Sequence, residues 1–282
     1  MDDTRGQLPF FRRAGDRRQR QRSRGVSLLP SLFTLANMFC GYACVVYSMR
    51  GDYQTAAPFI GVAIVLDMLD GRIARLTGTA SDFGLELDSL ADVISFGIAP
   101  AILSFGWGLA PLGRLGWAVG FLFVSAAALR LARFNIQSAT GGDKRYFVGM
   151  PSPAAAGVPA ATVFAYPEGL LDYQHALLAL PMVVVPALLM VSTIRFRSFK
   201  TIDLRVRRPY PVLLLIAVGI MLVATDAQAV LVVLAYAYLF SAFFGLAFGR
   251  LQRRGSVVRV DEGVSGGAET PSRASPADGV AR

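Results

Sequence analysis

Two pairs of carboxylates interrupt two long apolar runs. Asp67 and Asp70 follow FIGVAIVL, and Asp88 and Asp92 precede VISFGIAPAILSFGW. No other feature constrains the chain as much. The hydrocarbon core of a bilayer offers no water to backbone N–H and C=O groups, so a spanning segment must pair them internally. Apolar runs of about 20 residues have the length of spanning helices. Ionisable groups at that depth are costly and point to function. With 54% hydrophobic residues and a mean hydropathy of +0.49, the chain reads as an all-α polytopic membrane protein.

The spacing of the acids is helical. Residues three and four apart share a helix face. Asp67, Asp70, Gly71 and Ala74 therefore line one face of a first helix, and Gly84, Asp88 and Asp92 line one face of a second. A turn near residues 77–81 lets the two helices pair antiparallel, so that the carboxylate faces meet. Four clustered carboxylates need counter-charge, because like charges disfavour one another's ionisation. Two divalent cations would supply it, and oxygen-only ligands suit Mg²⁺, Mn²⁺ or Ca²⁺. Gly71, Ala74 and Gly84 leave the inner face bare for a ligand. Arg72 and Arg75 lie beside the acids, and arginine pairs with phosphate through two parallel hydrogen bonds. A two-metal carboxylate site with adjacent arginine is a phosphoryl-transfer arrangement.

Eight apolar spans can be drawn, near 29–49, 55–76, 84–107, 115–137, 152–168, 175–194, 210–225 and 227–249. The fifth, with Pro151, Pro153 and Pro159, is the least regular. Loops after even-numbered spans carry fifteen Lys and Arg residues, among them Arg72, Arg75, Arg130, Arg133, Lys144 and Arg145, whereas loops after odd-numbered spans carry only Arg50 and Arg114. This positive-inside bias places both termini and the acidic motif on the cytoplasmic side. Residues 1–27 hold eight arginines and read as a disordered cytoplasmic tail that could also meet anionic lipid. Residues 28–250 read as the transmembrane catalytic domain, and 251–282 as a second disordered cytoplasmic tail. No aromatic residues are interleaved with the basic ones as a nucleic-acid platform requires. Cys40 and Cys44 lie in one apolar run and read as packing residues. His175 is the one histidine, and no nucleophile–histidine pair can be built around it.

Within the first span, Asn37 and Gly41 share a face. Packing through small and polar residues is one role for them, and contact with a nucleotide is the other. The fourth span ends in ALRLARFNIQ. Arg130 and Arg133 there, with Arg145 in the next loop, either anchor the topology or bind a phosphate or carboxylate. In the run Pro151-Ser152-Pro153, proline suits the first turn of a helix.

Asp67-x-x-Asp70-Gly71-x-x-Ala74-Arg75, then eight residues, then Gly84-x-x-x-Asp88-x-x-x-Asp92 resembles the signature of the CDP-alcohol phosphotransferases at all of its positions. LDSLADVISFGIAPA, LRLARFNIQ, FVGMPSPAAAG and STIRFRSFK are similar to the bacterial, membrane-embedded phosphatidylserine synthase branch, with Met150 where leucine is expected. The resemblance spans residues 28 to about 250. It implies a six-helix catalytic core in a cell (inner) membrane, and a homodimer. It implies transfer of the phosphatidyl group of CDP-diacylglycerol to L-serine, giving phosphatidylserine and CMP, with two Mg²⁺ or Mn²⁺ ions. In that reaction Asp67, Asp70, Asp88 and Asp92 would hold the metals, and Asp92 would also be the general base. Asp67, Asp70, Gly71, Ala74, Arg75, Gly84 and Asn37 would bind the CDP moiety. Arg130, Arg133 and Arg145 would meet the serine carboxylate. Two other readings stay open at this level. One is the same chemistry with glycerol 3-phosphate or inositol phosphate as the alcohol. The other is a cation-coupled transporter, which would be expected to show an internal repeat, and the sequence holds no second copy of the acidic motif.

Overall fold

A computed structural model describes residues 28–77, 81–139, 147–192, 195–196, 217–219, 221–222 and 224–241. The tails at 1–27 and 251–282, most of the basic segment 193–208, Arg145 and most of the expected seventh span lie outside the described residues.

The chain enters α1 (Leu28–Met49) and turns back into α2 (Tyr53–Thr77). Arg50 and Gly51 donate their N–H groups to the carbonyls of Tyr47 and Ser48 in the turn. Asp52 caps α2, its Oδ1 accepting from the Thr55 N–H at 3.1 Å, which satisfies a donor that has no partner inside the helix. The facing surfaces are built from small side chains. Cys40, Ala43 and Cys44 on α1 and Ala56, Ala57, Ile60 and Ala63 on α2 are all buried. At spacings of three and four they form one stripe per helix, and the alanines and cysteines among them let the backbones pack closely.

Ser81 starts α3 (Asp82–Val93), accepting from the Gly84 N–H at 3.1 Å. The rod does not stop at Val93. It passes through a π turn (Ile94–Ile98), α4 (Ala99–Ser104), a second π turn (Phe105–Leu109) and a 3₁₀ turn (Ala110–Leu112). Phe96, Leu103 and Leu109 on this rod are completely buried. Within Phe83–Leu112 the apolar window is 61% buried, against 28–39% for the other three membrane-length helices, so the acid-bearing rod runs through the middle of the bundle. α5 (Arg114–Ala139), α6 (Ser152–Ala165), α7 (Tyr173–Val191) and α8 (Ala227–Ser241) follow, and residues 217–219, 221–222 and 224–225 are helical as well.

Among the described residues, four helices are long and apolar enough to cross a membrane: Ser31–Met49, Phe83–Leu112, Arg114–Gln137 and Tyr173–Val191. α6 and α8 are shorter apolar helices. α2 reaches 25 residues but carries acids and arginines in its second half. The irregular fifth span is α6, with 14 residues and Pro159 inside it. Large apolar side chains point outward from the bundle, including Trp117 at 72%, Phe121 at 68% and Leu178 at 77% exposure. Such a surface suits lipid rather than water.

The start of α6 is fixed by a short antiparallel pairing of Phe147–Val148 (β1) with Arg195–Phe196 (β2). Gly149 follows with φ of 88°. A Cβ there would lie 2.5 Å from the Met190 carbonyl oxygen, so both the dihedral and the space require glycine. Met150 then donates its N–H to the Leu189 carbonyl at 3.0 Å. These contacts hold the Pro151-Ser152 corner against the end of α7.

Candidate active site

The two acidic faces do meet. One carboxylate oxygen each from Asp67, Asp70 and Asp88 lies within 4.8 Å of the other two. α2 supplies the first two and α3 the third, and α1 packs against both helices. Asp70 is 4% exposed. The Thr34 hydroxyl of α1 donates to Asp70 Oδ2 at 3.2 Å, and the Gly71 backbone also hydrogen-bonds this carboxylate. Asp92, one turn further along α3, is outside the trio, although its charge acts with those of Asp67, Asp88 and Asp70. Among the described residues, Arg130 of α5 is the cation that acts on both Asp92 and Asp67. Its Nη1 donates to Ser152 Oγ at 2.7 Å, and the Tyr238 hydroxyl group of α8 lies within its electrostatic reach.

Among the described residues, the buried side-chain polar atoms without a hydrogen-bond partner belong to Asp88 (Oδ1), Asp92 (Oδ1), Arg130 (Nε) and Asn37 (Nδ2 and Oδ1). Buried polar groups are nearly always paired, and each exception needs an explanation. Here the exceptions fall on two acids, one cation and one amide that the fold brings to the same end of the bundle. A set of charged oxygen donors with unpaired lone pairs fits a hard divalent cation. The unpaired arginine nitrogen fits an anionic oxygen.

Asn37 and Gly41, left with two readings by sequence, divide them. A Cβ on Gly41 would lie 2.6 Å from Ser95 Oγ and 2.8 Å from Ser95 Cα, so Gly41 is a packing residue. Asn37 is completely buried with both ends of its amide unpartnered.

The remaining expected residues are placed less completely. Gly84 lies in the first turn of α3, where a Cβ would meet the Ser81 hydroxyl at 3.2 Å. Ala74 and Arg75 lie on α2, with their side chains outside the described ones. Arg133 is half-buried on α5. Asn135 donates to Ser89 Oγ at 2.9 Å. Four residues near the site were not singled out from sequence for a role in it; Thr34, on the face of α1 shared with Asn37, is the first. Ser95 stands three residues after Asp92, a spacing that could have marked it as sharing the acidic face. Ser152 is adjacent to the helix-starting Pro151. Tyr238 had no local signal, since only the packing of α8 brings it to Arg130.

The sequence profile of CDP-alcohol phosphatidyltransferases matches residues 27–187, which include Asn37, the four acids, Arg130 and Ser152. This chain belongs to the CDP-alcohol phosphatidyltransferase family. It is a transferase, as the family is. A Helicobacter pylori relative named CDP-diacylglycerol–serine O-phosphatidyltransferase is 41% identical over 182 residues, covering 62% of this chain and 74% of the relative. A Bacillus subtilis protein of the same name is 32% identical over 175 residues, covering 62% of this chain and 93% of the relative. An archaetidylserine synthase from Methanothermobacter thermautotrophicus is 36% identical over 170 residues, covering 60% of this chain and 69% of the relative. The acids gathered from α2 and α3 lie within the matched residues.

Proposed function

We propose that this chain transfers the phosphatidyl group of CDP-diacylglycerol to the hydroxyl of L-serine, giving phosphatidylserine and CMP. The observation that carries the reading is the clustering of unpartnered buried groups around Asp67, Asp70, Asp88 and Asp92. The names of the bacterial and archaeal relatives support serine as the acceptor, since serine is common to them while the lipid differs.

Asp67, Asp70 and Asp88 would hold two divalent ions, Mg²⁺ or Mn²⁺, with Asp92 completing the shell. Bound there, the ions would neutralise the diphosphate and the charge that develops on the transferring phosphoryl group. Asn37 would hydrogen-bond the CDP moiety through its unpartnered amide, along the bare surface of Gly71, Ala74 and Gly84, with Arg75 at the diphosphate. Arg130, held by Ser152, would bind the serine carboxylate through its unpaired Nε, with Arg133 and Arg145 as further cations. The serine hydroxyl oxygen attacks the phosphorus that carries diacylglycerol. The new P–O bond forms as the bond to CMP breaks, and CMP leaves with the electron pair. Asp92 Oδ1, buried and without a partner, takes the hydroxyl proton. A positioned base of this kind contributes roughly 10²–10⁴-fold. No covalent enzyme intermediate is needed. The enzyme would sit in the cell (inner) membrane with both termini and the site on the cytoplasmic side, in eight spans. Fusion of an activity reporter to each end tests that topology.

The test of the reaction is CMP release by purified protein given CDP-diacylglycerol, a divalent ion and one alcohol at a time. Release that requires L-serine supports the reading. Release with glycerol 3-phosphate or inositol phosphate in its place would keep the chemistry and change the acceptor. Folded protein that releases no CMP with any alcohol would return the acids to the cation-transport reading.

A further inference from the structure

We infer that Ser95 is a positioning residue, which holds Asn37 at the depth where its amide can meet the nucleotide. The inference rests on the proposed role of Asn37 in binding the CDP moiety.

The Ser95 hydroxyl donates to the Asn37 carbonyl oxygen at 2.9 Å, and both residues are completely buried. This is not how a helix serine usually satisfies itself. A hydroxyl at membrane depth can donate to a carbonyl one turn back on its own helix. Ser48 does so to Cys44 at 2.7 Å, Ser89 to Leu85 at 2.9 Å and Ser104 to Pro100 at 2.7 Å. Ser95 instead crosses to α1. It can do so because it sits in the π turn Ile94–Ile98, where the regular ladder is interrupted. Gly41 also gives it a surface with no side chain: the Cβ that Gly41 lacks would overlap both Ser95 Oγ and its Cα.

One residue thus touches both ends of a single turn of α1, the Asn37 carbonyl and the Gly41 backbone. Ser95 also follows Asp92 by one turn, so the same contact ties the depth of Asn37 to that of Asp92. On the other side of Asn37, one turn earlier on α1, Thr34 holds Asp70. Asn37 is therefore bracketed by two inter-helix hydrogen bonds, while its own amide makes none. A buried amide with no partner has nothing of its own to set its position, and the bracketing contacts supply that constraint.

The test is a double-mutant cycle on the full-length enzyme, with the KM for CDP-diacylglycerol and the KM for L-serine measured separately. Ser95→Ala should raise the KM for CDP-diacylglycerol roughly fivefold, the scale of one net hydrogen bond, and leave the KM for serine unmoved. In an Asn37→Ala background the same change should move the CDP-diacylglycerol KM by less than about twofold, because residues acting through one another are not additive. An equal effect of Ser95→Ala in both backgrounds, or a matching rise in the serine KM, would reduce Ser95 to a general packing role and overturn the inference. An Asn37→Ala enzyme with an unchanged CDP-diacylglycerol KM would overturn the nucleotide role of Asn37, and the inference with it. Should Ser95→Ala not fold, as judged by its melting curve, Ser95→Cys keeps the branching with a slightly larger, weaker donor and takes its place in the cycle.

Discussion

The central rod contains two π turns, and they do different work. The first, Ile94–Ile98, begins two residues after Asp92; the second, Phe105–Leu109, lies one helical segment away. At the second, polar groups are matched. The Tyr53 hydroxyl donates to the Gly106 carbonyl at 2.6 Å, the Leu170 N–H to the Trp107 carbonyl at 2.7 Å, and Trp107 Nε1 to the Tyr166 carbonyl at 2.7 Å. Carbonyls loosened by the π geometry there fasten the rod to α2 and to the α6–α7 connection. A cavity of about 360 Å³ beside it, lined by Trp107, Tyr166, Glu168 and Leu170 among others, has no unpartnered buried polar atom in its wall among the described residues. At the first π turn the same backbone device sits beside unmatched groups on Asn37, Asp88, Asp92 and Arg130. π turns are frequent at functional sites, yet here one of two is a structural fastening. The unsatisfied neighbours, not the turn or the cavity, distinguish the site.

The comparison breaks most visibly at Asp92. Asp92→Asn should lower kcat for serine-dependent CMP release by about 10²–10⁴-fold in protein that still melts cooperatively, at a somewhat lower temperature because buried Arg130 loses a partner. Retained activity would move the proton-accepting role elsewhere. Metal dependence is the next largest effect. Chelation should abolish turnover, and restored Mg²⁺ or Mn²⁺ at 100 times its Kd should stabilise the wild-type fold by about 2.7 kcal/mol. A variant carrying both Asp67→Asn and Asp88→Asn should show no such gain in a thermal melt. Smaller again is Thr34→Val, which removes the hydrogen bond to Asp70. Loss of such an outer partner typically costs 10–100-fold in activity or metal affinity, and a fall of about tenfold, read as a raised metal requirement, is expected. At the second π turn the sign of the lesson reverses. Trp107→Phe should cost about 1 kcal/mol of stability through the lost donor and leave KM and kcat unchanged. A kinetic effect there comparable to that of Thr34→Val would erase the contrast between the two turns.

Much of the site could be read along the chain because helices turn spacing into geometry. Three- and four-residue intervals put Asp67 with Asp70 and Asp88 with Asp92, and the apolar runs around them required helices. α1, packed against both acid-bearing helices, brings the two faces together. Pro151-Ser152-Pro153 marked the start of α6 because a proline in the first turn forfeits no hydrogen bond. The same reasoning left Asn37 and Gly41 undecided, since one spacing serves a packing stripe and a binding stripe equally well.

What the sequence determined by itself was membrane character, helical class and the faces that carry Asp67 with Asp70 and Asp88 with Asp92, because each follows from local hydropathy and from a period of 3.6 residues. Tertiary structure decided the rest. It assigned packing to Gly41 and an unpartnered amide to Asn37, held Arg130 on Ser152, brought Tyr238 to the site from α8, and gave two π turns opposite uses. These contacts join residues on different helices, and which groups remain unpaired can be known only once every helix has found its neighbours.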